Sequence, residues 1–265
     1  MNNLVMIKLG GSVITDKSKP FTERKDVIQR LAREIHEARQ EKEISLIVGH
    51  GGGSYPHRPA SEYQTQKGII NEQSYRGIAE VQDAAARLNR IVVSALIKEG
   101  ENAVSIQPSA ACIARNSRVT EWYTKPLEKL LEYKMLPVPY GDVAIDTDKG
   151  CCILSTEELL NYLSKKMKPK NVIVAGEVDG VFTADPHKDK DAEIIPEITR
   201  KNFDSIRHML GGSASTDVTG GMLHKVEELV ELAGHGIQSQ IINALEPNRI
   251  RDALLGKKVV GTIIK

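Results

Sequence analysis

With 36 Lys and Arg against 35 Asp and Glu over 265 residues, the chain carries a formal net charge of +1. No overall field gathers nucleic acid or an acidic membrane surface, so any anion binding is local. The length suits one large domain or two tightly joined lobes, and the core is aliphatic, since only 4% of residues are aromatic.

In chain order, the apolar run at 4–9, interrupted by Lys8, reads as a buried strand. It is too short for a signal peptide, and no run approaches the roughly 18 residues of a spanning helix. Thr22 is placed to cap a helix, with Glu23 in its first turn. Val27, Ile28, Leu31, Ile35 and Ala38 then fall on one helical face. A second strand is expected at 44–48 and, beyond a glycine loop, a long helix over about 72–98. Further strands are expected at 103–106, 136–139, 151–154, 172–175, 241–242 and 259–264. Further helices are expected at 156–166, 200–210, 222–233 and 249–254.

The alternation implies an α/β fold, an open and mostly parallel sheet sandwiched by helices. No repeat, low-complexity stretch or flexible linker divides residues 1–265, which read as one domain. Three cysteines, Cys112, Cys151 and Cys152, are an odd set without paired spacing. They argue against a disulfide framework or a zinc site and for a reducing, cytoplasmic setting.

Ligands of open α/β sheets sit beyond the carboxyl ends of the strands. Four glycine-bearing segments lie at such ends or at helix starts: 8–12, 50–57, 178–182 and 219–225. Bare backbone N–H groups at these turns make concave anion sites. Lys8 and Lys17 accompany the first and Lys225 the fourth. Neither G-x-x-x-x-G-K-S/T nor G-x-G-x-x-G occurs, so a P-loop and a Rossmann site have no support. Several anion cradles with dispersed lysines suit a polyphosphate bridged between two lobes. Singly, each piece also has a structural reading. Paired glycines make turns, Lys8 can snorkel from the sheet end, and Asp179-Gly180 is a turn dipeptide. Cys151-Cys152 reads as core packing.

Together and in this order, the segments resemble the amino acid kinase superfamily from Lys8 to the C-terminus, and within it the isopentenyl phosphate kinase family. The carrying motifs are KLGGSVITDK (8–17), HGGGSYPH (50–57), AVSIQPSA (103–110) and LPVPYGDV (136–143). They continue with EVDGVFTADP (177–186), TDVTGGMLHK (216–225) and IINALEPNRIRDALLG (241–256).

The resemblance implies that ATP gives its γ-phosphate to isopentenyl phosphate, with Mg²⁺ accompanying the nucleotide and no dedicated protein metal site. It assigns Lys8, Gly10, Gly11 and Ser12 to the β- and γ-phosphates, and Lys17 to the transferring phosphoryl group. Gly52, His57 and Gly141 match acceptor contacts, and Gly53 a nucleotide contact. Asp179, Gly180, Val181, Phe182, Thr183, Gly220, Gly221 and Lys225 match the nucleotide half. The N-terminal lobe, about 1–165, is expected to bind the acceptor phosphate and the C-terminal lobe, about 166–265, ATP. A homodimer is a further expectation of the family.

The chemistry of the residues agrees. A phosphate monoester is mostly a dianion at neutral pH and needs no general base. Bringing two anions together needs cations and N–H donors instead. Two departures from the family pattern stand out. Pro56 occupies a position where glycine is usual, and Thr156-Glu157 replace a small residue and an aspartate that orients the paired lysines. They keep open a same-fold kinase for another phosphate or a fosfomycin-like phosphonate. A non-catalytic nucleotide sensor is the other alternative.

Overall fold

The computed structural model describes residues 3–186, 188–210 and 221–265. The chain runs β1 (Leu4–Leu9), α1 (Gly11–Ile14), α2 (Lys25–Glu41), β2 (Ser45–His50), α3 (His57–Glu62), α4 (Gln73–Lys98) and β3 (Ala103–Ile106). Shorter elements follow: β4 (Cys112–Arg115), β5 (Arg118–Trp122), α5 (Lys125–Glu132), β6 (Leu136–Pro139), β7 (Asp142–Asp146) and β8 (Gly150–Leu154). Then come α6 (Thr156–Met167), β9 (Asn171–Gly176), β10 (Val181–Phe182), β11 (Ile194–Ile195), β12 (Glu197–Ile198) and α7 (Phe203–Leu210). The chain closes with α8 (Gly221–Gly234), β13 (Gln238–Asn243), α9 (Arg249–Leu255) and β14 (Thr262–Ile264).

The main sheet has the order β12-β14-β13-β9-β1-β2. β1 is parallel to both β2 and β9, β9 is parallel to β13, and only the β13–β14 pair within it is antiparallel. Its strands are apolar on both faces because helices cover both. Ile7 and Ile173 pack under α2, α4 and α9, whereas Met6 and Val172 pack under α6, α7 and α8. Successive residues thus feed opposite cores, and the α/β sandwich expected from the alternation is the observed fold. Among the described residues no helix is long and apolar enough to cross a membrane.

Two expectations are corrected. Thr22 does not cap α2. The segment before it stays extended through a bridge between Thr15 and Glu23, the helix starts at Lys25, and the Thr22 hydroxyl donates to the Pro20 carbonyl (3.0 Å). Glu23 instead accepts the Tyr55 hydroxyl (2.6 Å). The sequence also gave no expectation of a second sheet, β5-β4-β7-β8, in which β4–β5 and β7–β8 are antiparallel hairpins. The β4–β5 turn is Asn116-Ser117, both at positive φ (48° and 62°), as a two-residue hairpin turn requires. Buried Asp146 accepts the N–H groups of Asn116, Ser117, Asp148 and Lys149, closing both hairpins from one carboxylate.

Candidate active site

The carboxyl ends of β1, β2 and β9 open into a cleft of about 600 Å³. Its floor is two glycine loops pressed together. A Cβ on Gly11 would lie 2.4 Å from the Gly53 nitrogen, and Gly53 itself sits at φ +54°. Side chains at either position would drive the loops apart. The first loop is tied to β9 by the Gly10 N–H on the Ala175 carbonyl (2.8 Å), and the second to β1 by the Gly51 N–H on the Leu9 carbonyl (2.9 Å).

At one end of the cleft lies a buried charge cluster. Lys8 is near the end of β1 and 7% exposed; its Nζ donates to Oε1 of Glu157. Glu157 stands in the first turn of α6, which is capped by Ser155 Oγ accepting the Glu158 N–H (3.1 Å). Burial alone would raise the Glu157 carboxyl, but the charges of Lys8 and Lys225 and the Lys8 hydrogen bond hold it below its usual value. Glu157 is therefore an anion at neutral pH, set between two lysines that approach from different elements. Lys17, in the exposed loop after α1, reaches the same cleft.

His57, which opens α3, also lines the cleft. Pro56 takes the position before the helix at φ −77° and ψ −18°, which proline accepts without strain. A Cβ on Gly52 would come within 2.2 Å of the Pro56 ring, so proline here demands glycine there. Pro56, Ala60, Val81 and Ile153 form an apolar wall beside His57. Val81 is the α4 residue that lines the cleft, whereas Tyr75, at the start of the same helix, is 62% exposed. Packing of α4 on β7 and β8 turned the helix to that angle, through contacts of Val81 with Val143 and Cys151.

Beneath the second loop lies His50, which the motif contained but which had drawn no role. Its ring stacks on Tyr140 (centroids 5.6 Å, 8° between planes). Asn89 Nδ2 donates to Nε2 (3.1 Å), so Nδ1 carries the proton and donates to the Gly51 carbonyl (3.0 Å). Burial pushes the imidazole down to about 4, against the Gly51 hydrogen bond, so it is neutral at physiological pH. The His50 carbonyl accepts both the Gly141 N–H (3.1 Å) and the Thr156 hydroxyl (2.6 Å). Thr156 thus joins the α6 start to the His50 end of β2, which also holds Gly141, a use for its hydroxyl that the sequence did not reveal.

The cleft brings together Lys8, Gly10, Gly11, Ser12, Lys17, Gly52, Gly53, His57, Gly141, Glu157, Gly221 and Lys225. Gly220 lies outside the described residues. Asp179, Gly180, Val181, Phe182 and Thr183 stand beside the cleft and do not line it. Asp179 pairs with Arg249 (3.0 Å), Val181 is fully buried with its N–H on Thr262 Oγ1 (2.8 Å), and Phe182 and Thr183 continue the β10–β11 hairpin.

The sequence pattern of the amino acid kinase family matches residues 3–243. A protein of Methanothermobacter thermautotrophicus named isopentenyl phosphate kinase is 40% identical over 98% of this chain and 98% of its own length. The chain belongs to the isopentenyl phosphate kinase family. A second relative of that name, from Methanocaldococcus jannaschii, is 34% identical with the same coverage. Among solved structures, one described as an X-ray structure of isopentenyl phosphate kinase superposes with a TM-score of 0.85 at 37% identity, covering 99% of this chain and all of that one. An isopentenyl phosphate kinase substrate complex superposes with a TM-score of 0.81 at 27% identity, covering 99% of this chain and all of that one.

Within this isopentenyl phosphate kinase site, Asp142 is a cleft residue that pattern reading passed over. It is 1% exposed and accepts the N–H groups of Ser109 (3.1 Å) and Val143 (2.8 Å). Burial outweighs these bonds and raises its carboxyl to about 6. The folded chain then takes up a proton between the ordinary value of 3.8 and about 6 that the unfolded chain does not. Its contribution to stability accordingly falls as pH rises through that window and levels off above it. Asp142→Asn removes the dependence. In urea titrations, the stability of the variant relative to wild type should climb from pH 4 to pH 6 by about 2–3 kcal/mol and then stay flat. A difference independent of pH would refute the buried, raised carboxyl.

Proposed function

We propose that this chain transfers the γ-phosphate of ATP to isopentenyl phosphate, releasing isopentenyl diphosphate and ADP. The observation that carries the reading is the set of groups that one cleft brings together. It holds the Lys8–Glu157–Lys225 charge cluster together with His57 and the apolar residues Pro56, Ala60, Val81 and Ile153. The relatives named above support the acceptor.

Phosphoryl transfer passes through a loose transition state with charge spread over the transferring oxygens, so positioning and neutralisation supply the catalysis. Lys8 and Lys225 neutralise the triphosphate and Lys17 the moving phosphoryl group. Glu157 orients the two lysines. His57 hydrogen-bonds the acceptor phosphate, whose dianion attacks without a base, and the apolar wall receives the hydrocarbon tail. The lobe assignment follows: residues about 1–165 hold the acceptor, and about 166–265, including Asp179–Thr183 and Gly221, hold the nucleotide.

Among the described residues no group of three or more His, Cys, Asp or Glu is placed to hold a metal. The cleft carboxylates are engaged: Glu157 by Lys8, Glu177 by Arg24 (3.2 Å) and Asp142 by backbone N–H groups. That donor set fits Mg²⁺ carried on the phosphate oxygens of ATP, which neutralises them when bound, rather than a resident ion. A homodimer and a cytoplasmic setting complete the reading, by analogy with the family.

Steady-state kinetics with Mg-ATP against isopentenyl phosphate, dimethylallyl phosphate, fosfomycin and short alkyl phosphates test it. Isopentenyl phosphate should give the highest kcat/KM. A phosphonate turned over as well or better would redirect the assignment, and ATP binding without turnover of any acceptor would make the chain a sensor.

A further inference from the structure

The helices α6 and α8 each deliver one charge to the cleft, Glu157 and Lys225. Neighbouring each is a second carboxylate outside the cleft lining: Glu158 on α6, 8% exposed, and Glu228 on α8, 5% exposed. A single guanidinium nitrogen joins them. Nη1 of Arg118, the first residue of β5, donates to Glu158 Oε2 at 2.5 Å and to Glu228 Oε1 at 3.0 Å. We infer that Arg118 is a positioning residue, a clamp across the α6–α8 seam that fixes Lys225 relative to Glu157. The inference rests on the reading that these two residues serve phosphoryl transfer.

The two ends of the clamp are held unequally. Glu158 is anchored elsewhere too, since its Oε1 accepts the Val119 N–H (2.8 Å) and its own N–H is on the Ser155 cap. Glu228 is not. Among the described residues its Oε2 is buried without a hydrogen-bond partner, and its Oε1 has Arg118 and, at 3.3 Å, Nε2 of the half-exposed His224. Burial pushes the Glu228 carboxyl up, with the Glu157 and Glu158 charges adding to that and His224 and Arg118 opposing it. Three carboxylates therefore meet at one seam. Lys8 and Lys225 serve Glu157, and Arg118 stands between the other two. Without Arg118, two buried anions of like charge face each other, the costliest arrangement a buried pair can be left in. Separation of α8 from α6 relieves it. Because Glu228 lies one helical turn beyond Lys225, such a movement carries the lysine off its site. A slip of about 1 Å in a site of this kind costs on the order of 100-fold in rate. Arg118 itself does not line the cleft, so the acceptor end should not sense it.

The test compares wild type, Arg118→Met, Arg118→Lys and the double variant Arg118→Met/Glu228→Gln. Two readouts are used: kinetics with isopentenyl phosphate, and calorimetric titration with Mg-AMP-PNP. Arg118→Met should lower kcat about 10- to 100-fold and weaken Mg-AMP-PNP several-fold, with acceptor KM within about twofold. Removing one of the two facing anions should restore most of both losses in the double variant. Arg118→Lys, which keeps the charge but not the planar fork, should fall between, and it carries the comparison if Arg118→Met does not fold. A folded Arg118→Met with unchanged kcat and nucleotide affinity overturns the clamp, as does a loss that the double variant leaves uncorrected. If wild type does not turn over isopentenyl phosphate, the acceptor reading fails by itself. The Mg-AMP-PNP affinities of the same four proteins then decide the clamp.

Discussion

Lys8→Met is expected to lower kcat about 1000-fold, the loss seen when a preorganised electrostatic contact to a developing charge is removed. The lysine side chain is 9% exposed and its partner Glu157 12%, so solvent cannot stand in for it. The same substitution should destabilise the fold by about 3 kcal/mol, because a buried carboxylate loses its nearest counter-charge. Lys225 remains near Glu157 and keeps the cost at the lower end of the range for broken buried pairs. The two effects separate in the double variant Lys8→Met/Glu157→Gln. Neutralising the abandoned acid should return most of the stability in urea denaturation, while the rate stays low. A Lys8→Met enzyme within tenfold of wild-type kcat would remove Lys8 from the chemistry.

His57→Ala is expected to cut kcat/KM for isopentenyl phosphate about 100-fold while leaving the KM for ATP within about twofold. The asymmetry follows from the cleft. His57 shares the lining with Pro56, Ala60, Val81 and Ile153, whereas Lys8 and Lys225 gather on Glu157. The local backbone should keep its course, because packing and hydrogen bonds of the preceding residues hold the start of this short helix. The Pro56 packing on Gly52 and the Tyr55 hydroxyl on Glu23 persist. If the ATP KM rose in step with the acceptor constant, His57 would be supporting the floor of the cleft rather than binding the acceptor.

Much of the molecule was legible before the structure. Strand 4–9 and the long helix appear where the apolar spacing put them, at Leu4–Leu9 and Gln73–Lys98. The glycine loops read as cradles for anions; that bare backbone is also needed where one loop packs on the other was not legible. Other elements were not legible. The strands of the second sheet are short, and several of their residues are exposed, including Arg115, Arg118 and Ile145. Only β8, expected at 151–154 and observed at Gly150–Leu154, was marked by an apolar run; β4, β5 and β7 were not. Thr22 looked like a cap because a hydroxyl before a helical stripe usually is one; the bridge between Thr15 and the next residue, Glu23, keeps the segment extended and delays the helix to Lys25 instead.

By itself the sequence determined the alternation of strands and helices, the positions of the glycine turns and the presence of several cations near strand ends. These are properties of adjacent residues, expressed in periodicity and in backbone freedom. Tertiary structure alone decided which charges meet. Lys8 and Glu157 are 149 positions apart, and Arg118 and Glu228 are 110 apart. Only the convergence of β1, β5, α6 and α8 at one end of the sheet makes them partners. Burial is decided there too. His50 is neutral and Asp142 holds its proton up to about pH 6 because packing removes water from them. A residue's distance from water is a sum over neighbours that no local stretch of chain contains.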